Sequence, residues 1–305
     1  MMDNLCHTLV GAALAETGLR RRTRFATAAL VLGANLPDLD VPAAFTEHGL
    51  GFRRGITHGI PALIVLPILL TGLLLLWDRR RGGPRDAVPG QLILLSSLAI
   101  ATHPLLDWMN VYGMRWLEPF DGTWVYGDSL FIVDPWLLLL LGVGWLAGVR
   151  SRRAGGEASR KGERIARVMV GGALLYVVAM LGLTEAGRWI AARDLGLDRP
   201  SRRTLLVAPP FLASWRREVI VDDGTEYRFG EIEWLPTPVF RLAAGRLPKR
   251  LELLDGLRGS AALDDLLGWA RFPFARRIGG VIHVDDARYA RGGRSFAGVD
   301  VPVAR

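Results

Sequence analysis

A single cysteine, Cys6, stands among 305 residues, so no intramolecular disulfide can form and a disulfide framework is excluded in any compartment. Internal repeats and low-complexity tracts are also absent. The N-terminus lacks the basic region and cleavage site of a secretory signal, and Cys6 comes too early to follow a lipoprotein signal, so no removable leader is expected. The formal net charge is +8, yet no basic stretch carries the interleaved aromatics of a base-stacking surface. Nucleic acid is therefore not an expected partner. There is no inverted repeat and no charged path through the centres of the apolar runs, which weighs against a transporter.

What the chain has in abundance is apolar sequence. Half of its residues are hydrophobic and its mean hydropathy is +0.24, the balance of a membrane protein. Its length suits one large domain or two smaller ones. Six apolar runs read as helices, at about residues 4–19, 25–36, 55–77, 91–109, 130–149 and 165–190. Asn4 or Asp3 is placed to cap the first and Gly18 to end it. The second stops at Pro37, because the residue before a proline is pushed out of the helical region. These two runs fall short of the ~20 residues of a full span and suggest a short, tilted or half-inserted hairpin. Pro104 is expected to kink the fourth.

After Ala191 the long apolar runs give way to short alternating segments at 204–207, 215–221, 227–233 and 281–284. Turn residues such as Asp222-Asp223-Gly224 and Gly279-Gly280 bound them, and 261–269 reads as an amphipathic helix. The expected architecture is mainly α. A multi-pass membrane bundle of about six apolar helices occupies residues 1–190, and a small β-rich soluble domain occupies 200–305.

Lysine and arginine concentrate in the turns at 20–24, 78–89 and 150–164, whereas 38–57 and 110–129 carry the acids. The positive-inside tendency places the basic turns in the cytoplasm. His7, Asp38, Asp40, His58, His103 and Asp107 then all fall at the extracytoplasmic level, as does the C-terminal domain.

Ionisable groups at such depth are costly, by at least ~2.5 kcal/mol for a mid-helix Asp, and normally need a partner. His103 and Asp107 lie four apart, on one face if the helix persists through Pro104. Imidazole with carboxylate suits zinc or another borderline divalent ion; the alternative is a buried His–Asp bond that fixes packing. In Asn35-Leu36-Pro37-Asp38-Leu39-Asp40, the two carboxylates could ligate one metal or bridge two, or one could act as general base; they could also simply form a turn. In Arg53-Arg54-Gly55-Ile56-Thr57-His58, His58 is a candidate ligand. Arg54 is a candidate clamp for an anionic group such as phosphate, and would share a face with His58 if the helix begins that early. An arginine pair that binds lipid headgroups is the plainer account of Arg53. His48 and His283 read as ordinary loop and strand histidines, and Asp134 as a helix cap.

In order, His7-Thr8, Asn35-Leu36-Pro37-Asp38-Leu39-Asp40, Arg54-Gly55-Ile56-Thr57-His58 and His103-Pro104-Leu105-Leu106-Asp107 resemble the LexA-regulated, membrane-bound metal-dependent hydrolase family, the YdjM-like group of bacterial inner-membrane proteins. The resemblance covers about residues 1–180. It implies a bacterial inner-membrane location, a metal, and hydrolysis, with His7, Asp38, Asp40, His58, His103 and Asp107 matching the family's polar motifs. It implies no substrate.

Two functions follow as expectations. One is a hydrolase with a divalent metal, zinc foremost, at the extracytoplasmic membrane face. There Asp38 or Asp40 takes a proton, Arg54 holds an anionic head, and the substrate is a lipid or a phosphoester. The other is non-enzymatic: a membrane scaffold, or a site that binds ions or lipid headgroups.

Overall fold

The computed structural model describes residues 4–46, 49–81, 86–198, 201–255, 260–290 and 297–302. Asp3 and His48, named above as a cap and a loop histidine, lie outside the described residues. By its internal contacts the chain divides into two units, Met1–Leu39 with Arg54–Leu181, and Asp40–Arg53 with Gly182–Arg305.

All six apolar runs are helical: α1 (Asn4–Glu16), α2 (Ala26–Asn35), α4 (Ile60–Arg80), α5 (Pro89–Trp108), α6 (Pro135–Ala154) and α7 (Gly156–Asp194), with the short α3 (Gly49–Phe52) between α2 and α4. The expected apolar helices are not all of spanning length. Among the described residues, three helices are long and apolar enough to cross a membrane, namely α4, α5 and α7. Helices α1 and α2, with 13 and 10 residues, rise about 20 and 15 Å at ~1.5 Å per residue, against ~30 Å of hydrocarbon. Helix α6 has the length, but its apolar part ends at Val149, and Arg150, Arg152 and Arg153 follow within the helix.

Two expected boundaries also move. Helix α4 starts at Ile60, not near residue 55, so Arg54 and His58 sit in an irregular turn rather than on one helix face. The basic stretch 150–164 is not a loop. Helix α6 runs into it, Gly155 and Gly156 turn the chain with φ of 72° and 53°, and α7 begins at once. The charged start of α7 is stabilised by pairing: buried Glu163 accepts from Arg20, Arg21 and Arg167, while buried Glu16 takes Arg20 and Arg152. At the end of α4, Asp78 is likewise buried against Arg24 at 2.9 Å.

The core of the first unit mixes alanines with leucine and isoleucine. Ala15 of α1, Ala26, Ala29, Leu30 and Ala34 of α2, Leu70 and Leu74 of α4, and Leu92, Leu95, Ala99 and Ile100 of α5 pack together. Alanine keeps the helix axes close. Gly11 brings α1 closer still, since a Cβ there would stand 2.4 Å from the Leu30 carbonyl oxygen on α2. Asn35 ties the same pair by its side chain, donating to Val31 O at 2.8 Å and accepting from Thr8 at 3.2 Å. Asp134 caps α6 as expected, accepting from the backbone N–H of Trp136 and Leu137, and it also accepts from the Tyr176 hydroxyl of α7.

The second unit contains the expected strands and three more. Strands β1 (Leu205–Ala208), β2 (Arg216–Asp222), β3 (Glu226–Glu233) and β4 (Val239–Pro248) form an antiparallel sheet in sequence order. Strands β5 (Pro273–Ile278), β6 (Val281–Asp286) and β7 (Val299–Pro302) form a second. Gly224 and Gly279, with φ of 103° and 60°, make the two anticipated turns. Buried Leu205, Val207, Val219, Val221 and Ile232 pack with Ala191 and Ala192 from the end of α7. Helix α8 (Ala261–Trp269) matches the expected range and is capped by Ser260.

Candidate metal centre

The last two turns of α5 supply the first two groups. The helix continues through Pro104, so His103 and Asp107 do share a face, and both are fully buried. At the end of α2, helical geometry changes to a 3₁₀ stretch (Leu36–Phe45) that carries Asp38. The Arg53–Gly59 turn supplies His58 and Arg54. Arg54 adopts a left-handed backbone, φ 51°, and the turn closes through His58 N to Gly55 O at 2.9 Å.

Asp38, His58, His103 and Asp107 converge. One ligand atom from each lies within 4.8 Å of all the others. His58 Nε2 is 3.2 Å from His103 Nε2 and 3.5 Å from Asp107 Oδ2. His103 Nε2 is 3.7 Å from Asp107 Oδ2 and 3.8 Å from Asp38 Oδ1, and His58 Nε2 is 4.0 Å from Asp38 Oδ1. Bonds of about 2.0–2.2 Å to a tetrahedral ion would place its ligand atoms roughly 3.3–3.6 Å apart, close to this set.

The proton positions also favour a cation. His103 Nδ1 lies 2.7 Å from Ala34 O. A carbonyl only accepts, so Nδ1 carries the hydrogen and the Nε2 lone pair faces the cluster. Thr57 Oγ1 lies 3.0 Å from His58 Nδ1, a partner that lets His58 adopt the same tautomer. Two imidazole lone pairs and two carboxylates then point at one buried volume. The donor set fits a divalent metal.

Arg54 is fully buried, its Nε 2.8 Å from Asp107 Oδ2. Its Nη1 reaches Asp107 O, Asn110 Oδ1 and Gly113 O at 3.2, 3.0 and 3.0 Å, and its guanidinium lies over the Tyr112 ring. Every one of these acceptors is internal, so Arg54 positions Asp107.

His7, buried on α1, stacks on His103 with ring centroids 3.7 Å apart, and its Nε2 is 3.5 Å from Asp107 Oδ1. It sits beside the four-residue group rather than in it. Asp40 belongs to the other unit, where its Oδ1 accepts from Arg53 Nη1 at 2.7 Å. Asn110 was missed by the sequence reading. Fully buried, it accepts from both Arg54 and the Tyr112 backbone N–H. The signal was there, a carboxamide three residues beyond Asp107 at the end of an apolar run. His283 lies on strand β6, where its Nδ1 contacts its cross-strand neighbour Asp300 at 2.6 Å and its Nε2 lies 3.6 Å from buried Asp285.

The model of a family described as YdjM inner membrane protein matches residues 2–186. The uncharacterized protein YfhP of Bacillus subtilis strain 168 is 25% identical over 193 residues, 59% of this chain and 55% of YfhP. The chain thus aligns with about half the length of this curated relative. No solved structure matches the chain.

Proposed function

The chain belongs to the YdjM inner membrane protein family, and from that premise we propose that it is a membrane-bound, metal-dependent hydrolase acting on a lipid or other phosphoester at the extracytoplasmic face. The observation that carries this reading is the buried convergence of Asp38, His58, His103 and Asp107. These residues hold the metal, with zinc the leading candidate from two imidazoles and two carboxylates. A divalent ion there would supply Lewis acidity toward a phosphoryl or acyl oxygen and lower the pKa of water toward ~7. Arg54 holds the Asp107 carboxylate in place, and the Ala34 carbonyl holds the His103 ring. His7 lies against Asp107 on the opposite oxygen and completes the family's polar motifs as a residue flanking the ligands. Asp40 has no ligand role in this reading, because Arg53 engages its carboxylate.

The orientation is supported by charge. Arg20, Arg21, Arg152 and Arg167 gather on Glu16 and Glu163, at helix ends opposite to those that carry the cluster. The positive-inside tendency makes that end cytoplasmic and sends the cluster and the C-terminal domain outward.

One observation favours a structural site instead. Four protein ligands close a tetrahedral ion, whereas a catalytic zinc keeps an open position. The two readings separate in one experiment. Purified protein and its His103→Ala variant are compared for metal by elemental analysis and for hydrolysis of lipid extracts and a phosphodiester. Metal bound by the wild type alone, with hydrolysis lost in the variant, supports the hydrolase. Metal bound without hydrolysis of any lipid or phosphodiester supports the structural site, and metal-free protein after mild purification overturns both.

A further inference from the structure

The connection from α5 to α6 exposes apolar side chains where no helix explains them. Phe120 is 85% exposed and Leu117 49%. Both belong to a hairpin of its own making. Bridges pair Met114 with Val125 and Leu117 with Asp121, and the backbone N–H groups of Phe120 and Asp121 both donate to Leu117 O, at 2.8 and 3.2 Å. The turn is thus closed by its own backbone, and the Phe120 ring is left outside it.

The depth of this hairpin is set by two backbone bonds. Ile60 N donates to Trp116 O at 2.8 Å, and Ile60 is the first residue of α4, a helix long and apolar enough to span. Arg115 N donates to Arg54 O at 3.2 Å, in the turn that carries His58. The hairpin backbone therefore lies level with the start of α4, where a span through that helix would leave the membrane.

Its charges suit the boundary layer. Arg115 and Glu118 neutralise each other at 2.5 Å, and the Arg115 guanidinium lies over the Trp124 ring. Trp116 and Trp124 are half-buried, the residue type that collects at membrane–water interfaces. Asp121, next to Phe120, accepts from the Thr123 hydroxyl and N–H at 2.6 and 2.8 Å. Those bonds hold its carboxyl below the ordinary value and keep it ionised, so this part of the tip belongs among headgroups and not in hydrocarbon.

We propose that the Met114–Val125 hairpin is a membrane-surface anchor, which inserts Phe120 and Leu117 into the headgroup–acyl boundary of the leaflet on the metal-centre side. The partner is a lipid surface, and the anchor's bond to Arg54 O ties that surface to the turn carrying His58. The inference rests on α4 as a span and not on hydrolysis.

The test places a reporter on the tip. Phe120→Cys, in a Cys6→Ala background, is labelled with an environment-sensitive fluorophore, and the full chain is reconstituted into vesicles of phosphatidylethanolamine and phosphatidylglycerol. Cys6 is buried, so the unchanged background serves equally well if Cys6→Ala lowers the yield. The label at Phe120, and a second at Leu117→Cys, should emit to the blue and be quenched several-fold more by nitroxide-bearing lipid than by aqueous iodide. A label at Thr123→Cys should show the reverse. Iodide quenching at Phe120 equal to that at Thr123, with no response to nitroxide lipid, overturns the anchor. The readout does not depend on metal or turnover, so a failed hydrolase reading and a failed anchor give different results.

Discussion

Arg54 Nε stands 2.8 Å from Asp107 Oδ2, and neither side chain reaches solvent. An ion pair so placed is poor evidence of added stability, because both charges had to be stripped of water. Removing one partner is another matter, since the other charge stays buried and alone. Arg54→Ala should therefore cost about 3–5 kcal/mol. A thermal melt in detergent checks this. Arg54→Ala that melts with the wild type would remove the positioning role, whereas Arg54→Lys should rescue only part of the loss, because a point charge cannot reproduce the fork that reaches Asn110 and Gly113.

Thr57 offers a gentler probe of the metal centre. Its hydroxyl lies 3.0 Å from His58 Nδ1 and orients that ring without being a ligand. Thr57→Val should lower metal affinity roughly tenfold while leaving the fold intact, the usual size of an outer-partner effect. Competition against a chelator of known affinity measures it. An unchanged affinity would mean that His58 is held by something else.

Gly11 tests the helix pair that carries His7 and Asp38. Gly11→Val would push a side chain into the Leu30 carbonyl, 2.4 Å from the nearest possible Cβ, and backbone cannot rotate away as a side chain can. We expect a loss of roughly 1–3 kcal/mol from overpacking, and metal release at lower temperature than the wild type. Calorimetry with a metal indicator follows both events together.

Tyr227 gives the second unit a pH limit. Its hydroxyl donates to Pro273 O at 2.8 Å, linking β3 to β5, and burial, then Asp222, then Asp286 push its pKa well above that of a free phenol. The unfolded chain loses this proton near pH ~10 while the folded chain keeps it. The contribution to stability is thus complete below pH ~10 and declines as pH rises beyond it. Alkaline unfolding followed by tyrosinate absorbance should show Tyr227 ionising only with the loss of structure, and Tyr227→Phe should flatten the alkaline side of the stability curve.

Much of the centre could be read from the sequence because its residues break apolar runs. His103 and Asp107 are legible for that reason, and so are Asp38 after the Pro37 stop and His58 before a span. The internal partners of Arg54 were not legible, because a guanidinium in sequence looks the same whether it faces a substrate or a neighbour. They follow from the turn geometry, with a left-handed residue and a helix that starts at Ile60. Asp38 and Asp40 are two apart in sequence, yet the second is engaged by Arg53. In the second unit, β1, β2, β3 and β6 were visible as alternation. Strand β4 was not, since Arg241, Ala243, Ala244, Gly245 and Arg246 present a largely exposed surface with little apolar rhythm. Strand β7 is only four residues long. The start of α7 was hidden by its charges, which are compensated by partners on other helices and so cannot be recognised locally.

The group that sets the His103 ring is a main-chain carbonyl, Ala34 O, at the last turn of α2. No substitution at residue 34 short of breaking the chain deletes it. The aim of this imidazole is therefore inherited from how α2 is seated along α5. Evolution is free to vary the outward side chains of α2, but a slip of that short helix toward either end would swing the ring off its target. The depth of α2 in the bundle is, in effect, part of the coordination sphere.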